Sequence, residues 1–276
     1  MKLAVLSGKG GAGKTMVAAN LAAAAEKATY IDCDVEEPNG RLFLPPTDVQ
    51  EEEVHTFLPG FDKEKCTGCK TCVKLCRFHA LIYIKEKPKV FSEVCHSCGL
   101  CEMACPQKAI RMEAKTVGKV ESGTFDSVTV HTGILNPGEA SGIPVIQAAM
   151  AKAGEGLTII DCPPGSACSV MECVSHADAC LLVAEATAFG FHNFTMVHEL
   201  ASILGKPCYV VINKEETPYE PLETYCKEKN LPVVLRIPFQ KDFARLGAEG
   251  KLLCRESLEG KALFSQLLHK IGGALN

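Results

Sequence analysis

The sequence predicts an α/β fold: a mostly parallel sheet flanked by helices, carrying a small α+β insertion. Three observations predict it. Residues 2–34 run as a short apolar strand, a Gly-rich loop, an Ala-rich helix and a second apolar strand, which is how a βαβ unit opens. From about residue 127 onward, short apolar runs alternate with helical stretches, the pattern of parallel strands covered on both faces. Between these regions the alternation lapses, and eight of the sixteen cysteines fall from Cys66 to Cys105.

In order, "KLAVLS" is the first strand, "KTMVAANLAAAAEK" the first helix and "ATYIDCD" the second strand. After the cysteines, "SVTVHTG", "LTIIDCPPG", "ACLLVAEAT", "CYVVINK" and "PVVLRIP" read as strands. Helices are expected near 139–153, 167–176, 191–204, 219–229, 240–248 and 258–271. Residues 1–58 and 116–276 thus make one domain, and 59–115 a smaller inserted one. A chain of 276 residues with 47% hydrophobic content can bury a substantial core. A net charge of −4 argues against general affinity for nucleic acid. The N-terminal apolar run is too short for a signal sequence, and no stretch approaches the length needed to span a bilayer, so a soluble cytoplasmic protein is expected. In the last helix Leu263, Leu267, Ile271, Phe264 and Leu268 share a face, with only Lys261 and Lys270 as cations. Core packing explains that face; a membrane anchor would carry more positive charge.

The cysteine region contains a repeat. "CTGCKTCVKLCRFHALI" and "CHSCGLCEMACPQKAIR" superimpose with an offset of 29 residues, which also matches Ala80 to Ala109 and the expected core positions Leu81 to Ile110. Each half reads C-x-x-C-x-x-C-x-x-x-C. In such runs three close thiolates wrap one 4Fe–4S cluster and the fourth ligates the other. The two sets are Cys66, Cys69, Cys72 and Cys105, and Cys95, Cys98, Cys101 and Cys76. Zinc fits less well, because it uses cysteine pairs and would leave one thiol over in each half. Roughly residues 60 to 115 resemble bacterial-type two-cluster ferredoxins. One departure is visible: the second run ends Cys105-Pro106, the first Cys76-Arg77. So small a unit buries little core, and is expected to depend on its clusters for folding. The scattered cysteines (Cys33, Cys162, Cys168, Cys173, Cys180, Cys208, Cys226, Cys254) sit mostly in apolar runs and read as small buried hydrophobes.

Gly8 to Thr15 match G-x-x-x-x-G-K-[ST], a phosphate-binding loop. Backbone N–H groups from Gly10 through Gly11, Ala12 and Gly13 to Lys14 should face the phosphates. Lys14 should reach the β- and γ-oxygens, Thr15 should hold Mg²⁺, and Gly8 and Met16 complete the nucleotide contacts. The run "KGGAGKT" carries a second lysine, Lys9, and resembles the deviant Walker A motif of MinD/ParA-type ATPases. The resemblance spans residues 1 to about 58 and 115 to 276. It implies a P-loop ATPase that binds ATP and Mg²⁺ and closes as a homodimer, with Lys9 reaching the partner's nucleotide during slow hydrolysis. It also implies that Asp34 positions the attacking water, that Asp32 lies near the Mg²⁺ shell, and that Asp161 reaches Mg²⁺ through water. Asn213 would read adenine, with Pro238 and Phe239 near the base, and Gly165 would meet the γ-phosphate. Cys168 follows Asp161 at a distance like that of a cluster ligand in the related nitrogenase iron protein. The rest of that four-cysteine set has no counterpart here, nor does the cysteine pair of Mrp-type scaffolds.

The reading that follows is an ATP-gated electron carrier with two 4Fe–4S clusters. The alternatives are an iron-sulfur or metallocofactor assembly ATPase, or a positioning ATPase whose clusters sense redox state. The redox or apo-protein partner is not identifiable from sequence, and neither nucleic acid nor membrane is expected as one.

Overall fold

The computed structural model describes residues 1–274. The N-terminal unit is β1 (Lys2–Leu6), α1 (Lys14–Ala24), β2 (Ala28–Asp32) and the short α2 (Gly40–Phe43). Then come β3 (Thr47–Phe61), α3 (Thr71–Leu75), β4 (Leu81–Ile84), β5 (Lys87–Val90), α4 (Leu100–Met103) and β6 (Ile110–Phe125). The chain continues as β7 (Val128–Leu135), α5 (Ile143–Met150), β8 (Leu157–Asp161), α6 (Cys168–Ser175), β9 (Ala179–Glu185) and α7 (Ala188–Ile203). It closes with β10 (Cys208–Glu215), α8 (Glu220–Glu228), β11 (Val233–Pro238), α9 (Lys241–Ala248), α10 (Leu253–Glu256) and α11 (Leu258–Ala274).

Among the described residues nine strands form one sheet in the order β11-β10-β9-β1-β8-β2-β7-β6-β3. From β11 to β7 every pairing is parallel. These strands are short and apolar because both faces are covered, so no polar alternation survives in them. One face packs against α1, α10 and α11 through Val17, Leu21, Leu253, Phe264, Leu267 and Ile271. The other buries Val145, Ile146, Val170, Phe194, Val197 and Leu222 of α5 to α8. Helix α1 is apolar nearly all round and is correspondingly buried from Val17 to Ala23. Leu263 and Leu268 of α11 pack half-buried against the core, so the terminal apolar face is spent on the sheet. No helix among the described residues is long and apolar enough to cross a membrane.

The edge of the sheet differs from the sequence pattern. β6 pairs antiparallel with β7, and β3 with β6, in a register running from Thr47↔Thr124 to Phe61↔Ile110. This ribbon runs from the sheet into the cysteine region, with register shifts between Thr47 and Gln50 and between Val54 and His55. Residues 59 and 115, expected as the borders of the insertion, lie inside its strands. At its tip the repeat is visible in the backbone. Gly68 and Ser97, Lys70 and Gly99, and His79 and Lys108 all take positive φ at the 29-residue offset. Asp62 N–H donates to Ala109 O, and Phe91 N–H to Ala80 O, both at 2.8 Å. Ala80, Ala109, Leu81 and Ile110 are buried between the halves.

Candidate functional site

The strand-to-helix turn after β1 is shaped by close contacts. Gly8 lies against α7, where a Cβ would come within 2.0 Å of the Asn193 carbonyl oxygen. Gly13 starts α1 with φ of 89°, and a Cβ there would meet the Asn213 amide at 2.1 Å. Only glycine satisfies both demands. The end of β10 braces the loop from the other side: Asn213 Nδ2 donates to Ala12 O at 2.8 Å and Lys214 Nζ to Gly11 O at 2.7 Å.

Above the loop opens a cavity of about 510 Å³, within the range of small-ligand sites. Lys9, Gly10, Gly11, Gly13, Lys14, Thr15, Met16 and Asp34 line one side. Asn213, Pro238 and Phe239 line the other, with Phe243 and Ala244 of α9. The structure thus gathers the loop and the expected base-side residues around one space. Gly8, Ala12, Asp32 and Asp161 stand behind its wall, the last three of them buried.

Charge is the dominant feature behind the loop. Lys14 Nζ donates to Asp161 Oδ1 at 2.5 Å, and Tyr30 Oη donates to Asp161 Oδ2 at 2.9 Å. Asp32 accepts from the Gly40 N–H at 2.8 Å and the Asp34 N–H at 3.1 Å. Burial and the Asp161 charge push Asp32 up to about 8. Burial pushes Asp34 up to about 6. Burial alone would lower Lys14, but Asp161, with Asp32 and Asp34, more than offsets it and holds the lysine above its ordinary value. Three acids thus surround one lysine. Asp34 lines the cavity, while Asp32 and Asp161 lie buried behind its wall; carboxylates beside a phosphate loop suit Mg²⁺, which binds through a few carboxylates, waters and phosphate oxygens.

Lys9 is partly exposed but paired within the chain. Its Nζ pairs with Glu185 Oε2 at 2.6 Å and lies 4.9 Å from the Phe189 ring centroid, both at the junction of β9 and α7. Gly165, after β8, donates its N–H to Ser7 O at 2.9 Å rather than into the cavity. Tyr30, Glu185 and Lys214 hold functional residues and escape the sequence reading. Tyr30 carried a usable signal: it precedes Asp32 by two in a strand, so both project from the same face. Glu185 and Lys214 gave none, since their partners are remote in sequence.

At the ribbon tip the cysteines divide into two groups. Cys66, Cys69, Cys72 and Cys105 line one small cavity with Phe61, Lys70, Tyr83 and Ile110. Cys76, Cys95, Cys98 and Cys101 line a second with Pro59, Phe78, His96 and Met112. Neither lining contains a carboxylate, and the His96 ring is stacked 3.7 Å from Phe78. Four thiols per cavity, with no carboxylate in competition, are the donor type that an iron-sulfur cluster takes. The Ala109 N–H donates to Cys105 Sγ at 3.3 Å, the kind of bond that tunes such a cluster. Among the described residues no three His, Cys, Asp or Glu side chains converge as a single metal ion requires. Of the eight remaining cysteines, six are buried, Cys208 is half-buried and Cys168 is exposed at the start of α6.

Comparison with known proteins adds four findings. The family of CobQ/CobB/MinD/ParA nucleotide-binding domains matches residues 3–253. An uncharacterized protein of Methanocaldococcus jannaschii is 27% identical over 82% of this chain and 90% of its own length. Pyruvate synthase subunit PorD of Methanothermobacter marburgensis is 38% identical over 58 residues, 21% of this chain and 68% of that one. Among solved structures, the septum site-determining protein MinD of Pyrococcus horikoshii, complexed with Mg-ADP, shares the fold at a TM-score of 0.60. That likeness covers 100% of this chain and 98% of the other at 17% identity.

Proposed function

The chain belongs to the CobQ/CobB/MinD/ParA nucleotide-binding family, and from that premise we propose that it is an ATP-switched homodimer that couples hydrolysis to electron transfer. The electrons would pass through two 4Fe–4S clusters, one held by Cys66, Cys69, Cys72 and Cys105, the other by Cys95, Cys98, Cys101 and Cys76. When bound, each cluster supplies a site that takes up and releases one electron. Residues 1–58 and 116–276 act as the ATPase body and 59–115 as the redox module.

The observation that carries this reading is the continuous β3–β6 ribbon between the nucleotide site and the cysteine cavities. A flexible tether would separate the two chemistries; a hydrogen-bonded extension of the sheet gives them a shared frame. Nucleotide binding asks Lys14 to exchange Asp161 for phosphate oxygens and frees Asp161 for Mg²⁺. Asp34, at the cavity wall, is placed to orient the attacking water. Lys9 leaves Glu185 and crosses to the partner protomer, where its charge stabilises the transferring phosphoryl group.

The test is an anaerobic EPR-monitored redox titration of the iron-loaded protein, with and without Mg-ATP. A shift of about 59 mV, tenfold in a one-electron equilibrium, is expected with ATP and absent in Lys14→Ala. Cluster loss to an apo-protein acceptor on ATP addition, at unchanged potentials, would refute the electron-transfer reading in favour of assembly.

A further inference from the structure

The two halves of the redox module share a backbone but not a surface. At the 29-residue offset Lys63, Lys65, Lys70 and Lys74 correspond to Ser92, Val94, Gly99 and Met103. Residues 62–79 carry five Lys or Arg against two acids; residues 91–108 carry one against two. All four lysines of the first half are exposed, and the β4–β5 hairpin adds exposed Lys85, Lys87 and Lys89 beside the same cavity. The second cavity has a mostly apolar surround, with Phe78, Phe91, Val94 and Leu100 exposed near it and Arg77 between its lining residues Cys76 and Phe78. The asymmetry is specific to the side chains, because the paired φ values and hydrogen bonds persist across the repeat.

The two cavities also differ in depth along the ribbon. The second is lined by the cross-strand pair Pro59 and Met112, the first by Phe61 and Ile110, two residues farther out. The Cys95–Cys98 loop is tied back to the ribbon by Ser97 Oγ, 2.5 Å from Thr56 Oγ1 and 3.3 Å from the Phe57 N–H. The first cavity is therefore the outer one by register, and one cysteine of each set, Cys69 and Cys98, is exposed. Lys70 both lines this cavity and lies 5.1 Å from the Tyr83 ring centroid, so its charge is held at the rim.

We propose that the lysine-rich mouth of the outer cavity is the docking surface for an acidic one-electron carrier protein. This rests on the electron-transfer reading above and adds the partner's chemistry and the point of entry. In the step, the carrier loses one electron, the outer cluster gains it, and no bond or proton moves. The body has the opposite sign: the chain as a whole is at −4, so its excess acid lies outside this module. An acidic carrier is thereby repelled from the body and drawn to the tip, which selects orientation as well as partner.

The test uses the full-length iron-loaded protein and a reduced acidic two-cluster ferredoxin as the probe. Zero-length carbodiimide coupling, mapped by mass spectrometry, should join the probe's carboxylates to Lys63, Lys65, Lys70 and Lys74. The association rate should fall by on the order of tenfold as salt rises from about 20 to about 300 mM. It should fall about as much in Lys63→Glu/Lys70→Glu/Lys74→Glu, and stay within about twofold in Lys27→Glu/Lys227→Glu/Lys261→Glu, which carries the same charge change on the body. Should the first triple variant fail to load iron, the coupling map and salt dependence of the unaltered protein still decide. Cross-links spread over the body, a salt-independent rate, or equal losses in both variants would overturn the proposal. So would tight binding of a DNA duplex or anionic vesicles at these lysines without a carrier complex. Dithionite reduction followed by EPR separates the two levels. Reducible clusters without lysine-dependent docking overturn this inference alone, whereas absence of clusters overturns the electron-transfer reading and this with it.

Discussion

Replacing Glu185 by Gln should tighten the proposed ATP-dependent dimer. In the structure Lys9 is held within its own protomer by Glu185 at 2.6 Å and by the face of Phe189. A lysine so held is unavailable to a partner's nucleotide, so dimer closure must first break the pair. Both side chains are roughly a fifth exposed, 23% and 21%, which places the pair at the upper end of surface ion pairs, about 0.5–1 kcal/mol. The Phe189 contact is untouched by the substitution and contributes nothing to the difference. A symmetric dimer gives up two such pairs, so Glu185→Gln relieves about 1–2 kcal/mol per dimer, a roughly 5- to 30-fold lower dissociation constant. Sedimentation velocity across a concentration series, with Mg²⁺ and a non-hydrolysable ATP analogue, measures this directly. The gap between variant and parent should narrow as salt screens the pair in the parent. An unchanged or weaker dimer would refute the idea that Glu185 restrains Lys9, and Lys9→Ala should abolish the effect of the second substitution.

Three further outcomes follow from the site and the module. Tyr30→Phe removes a donor from the buried Asp161 carboxylate and should destabilise the nucleotide-free protein by about 1.5–3 kcal/mol, read as a lower denaturation midpoint that Mg-ADP partly restores. Asp32, held up at about 8 against an ordinary value of 3.8, keeps in the folded chain a proton that the unfolded chain has released. Between about pH 4 and pH 8 its contribution to stability therefore falls as pH rises, by at most about 1.4 kcal/mol per unit, and the unfolding free energy relative to Asp32→Asn should decline across that window. Iron chelation under anaerobic conditions should open residues 62–109 to limited proteolysis while the sheet-packed body resists, because the module's core is little more than Ala80, Leu81, Ala109 and Ile110.

The parallel core was legible because burial on both faces writes itself as unbroken apolar strands. All seven strands of the parallel part coincide with runs visible in the sequence, from "KLAVLS" to "PVVLRIP". The cysteine repeat was legible for a different reason: thiol spacing is a chemical signature that survives whatever the surface does. The ribbon was not legible. From Thr47 to Glu53 every residue of β3 is exposed, so no apolar face exists to mark it. The strand is held instead by backbone pairing and by charge pairs, Lys119 of β6 to Glu51 at 2.6 Å and Lys152, just after α5, to Glu52. Periodicity reports burial, and a solvated antiparallel ribbon has almost none. The Lys9–Glu185 pair was invisible for the related reason that 176 positions separate its partners in the chain.

The placement of the ribbon relative to Asp32 gives the proposed coupling a physical route. Asp32 Oδ2 holds the backbone N–H of Gly40, the first residue of α2, at 2.8 Å. Gly40 packs so closely on Tyr30 that an added Cβ would lie 2.2 Å from its hydroxyl oxygen, and that hydroxyl binds Asp161. One helical turn later, after Pro45 and Pro46, the chain enters β3. The other ribbon strand, β6, hydrogen-bonds to β7, which pairs with β2 and so with the strand that ends in Asp32. Both bases of the ribbon therefore stand within a few bonded contacts of the carboxylates that Mg²⁺ and phosphate would reorganise. Two prolines stiffen the segment between α2 and β3, so a displacement of Gly40 has little slack in which to be absorbed. Pro45→Gly/Pro46→Gly, which leaves the buried Leu44 in place, should consequently leave nucleotide binding intact while abolishing the ATP-dependent shift in cluster potential; retention of the shift would place the coupling on the β6–β7 side of the ribbon instead.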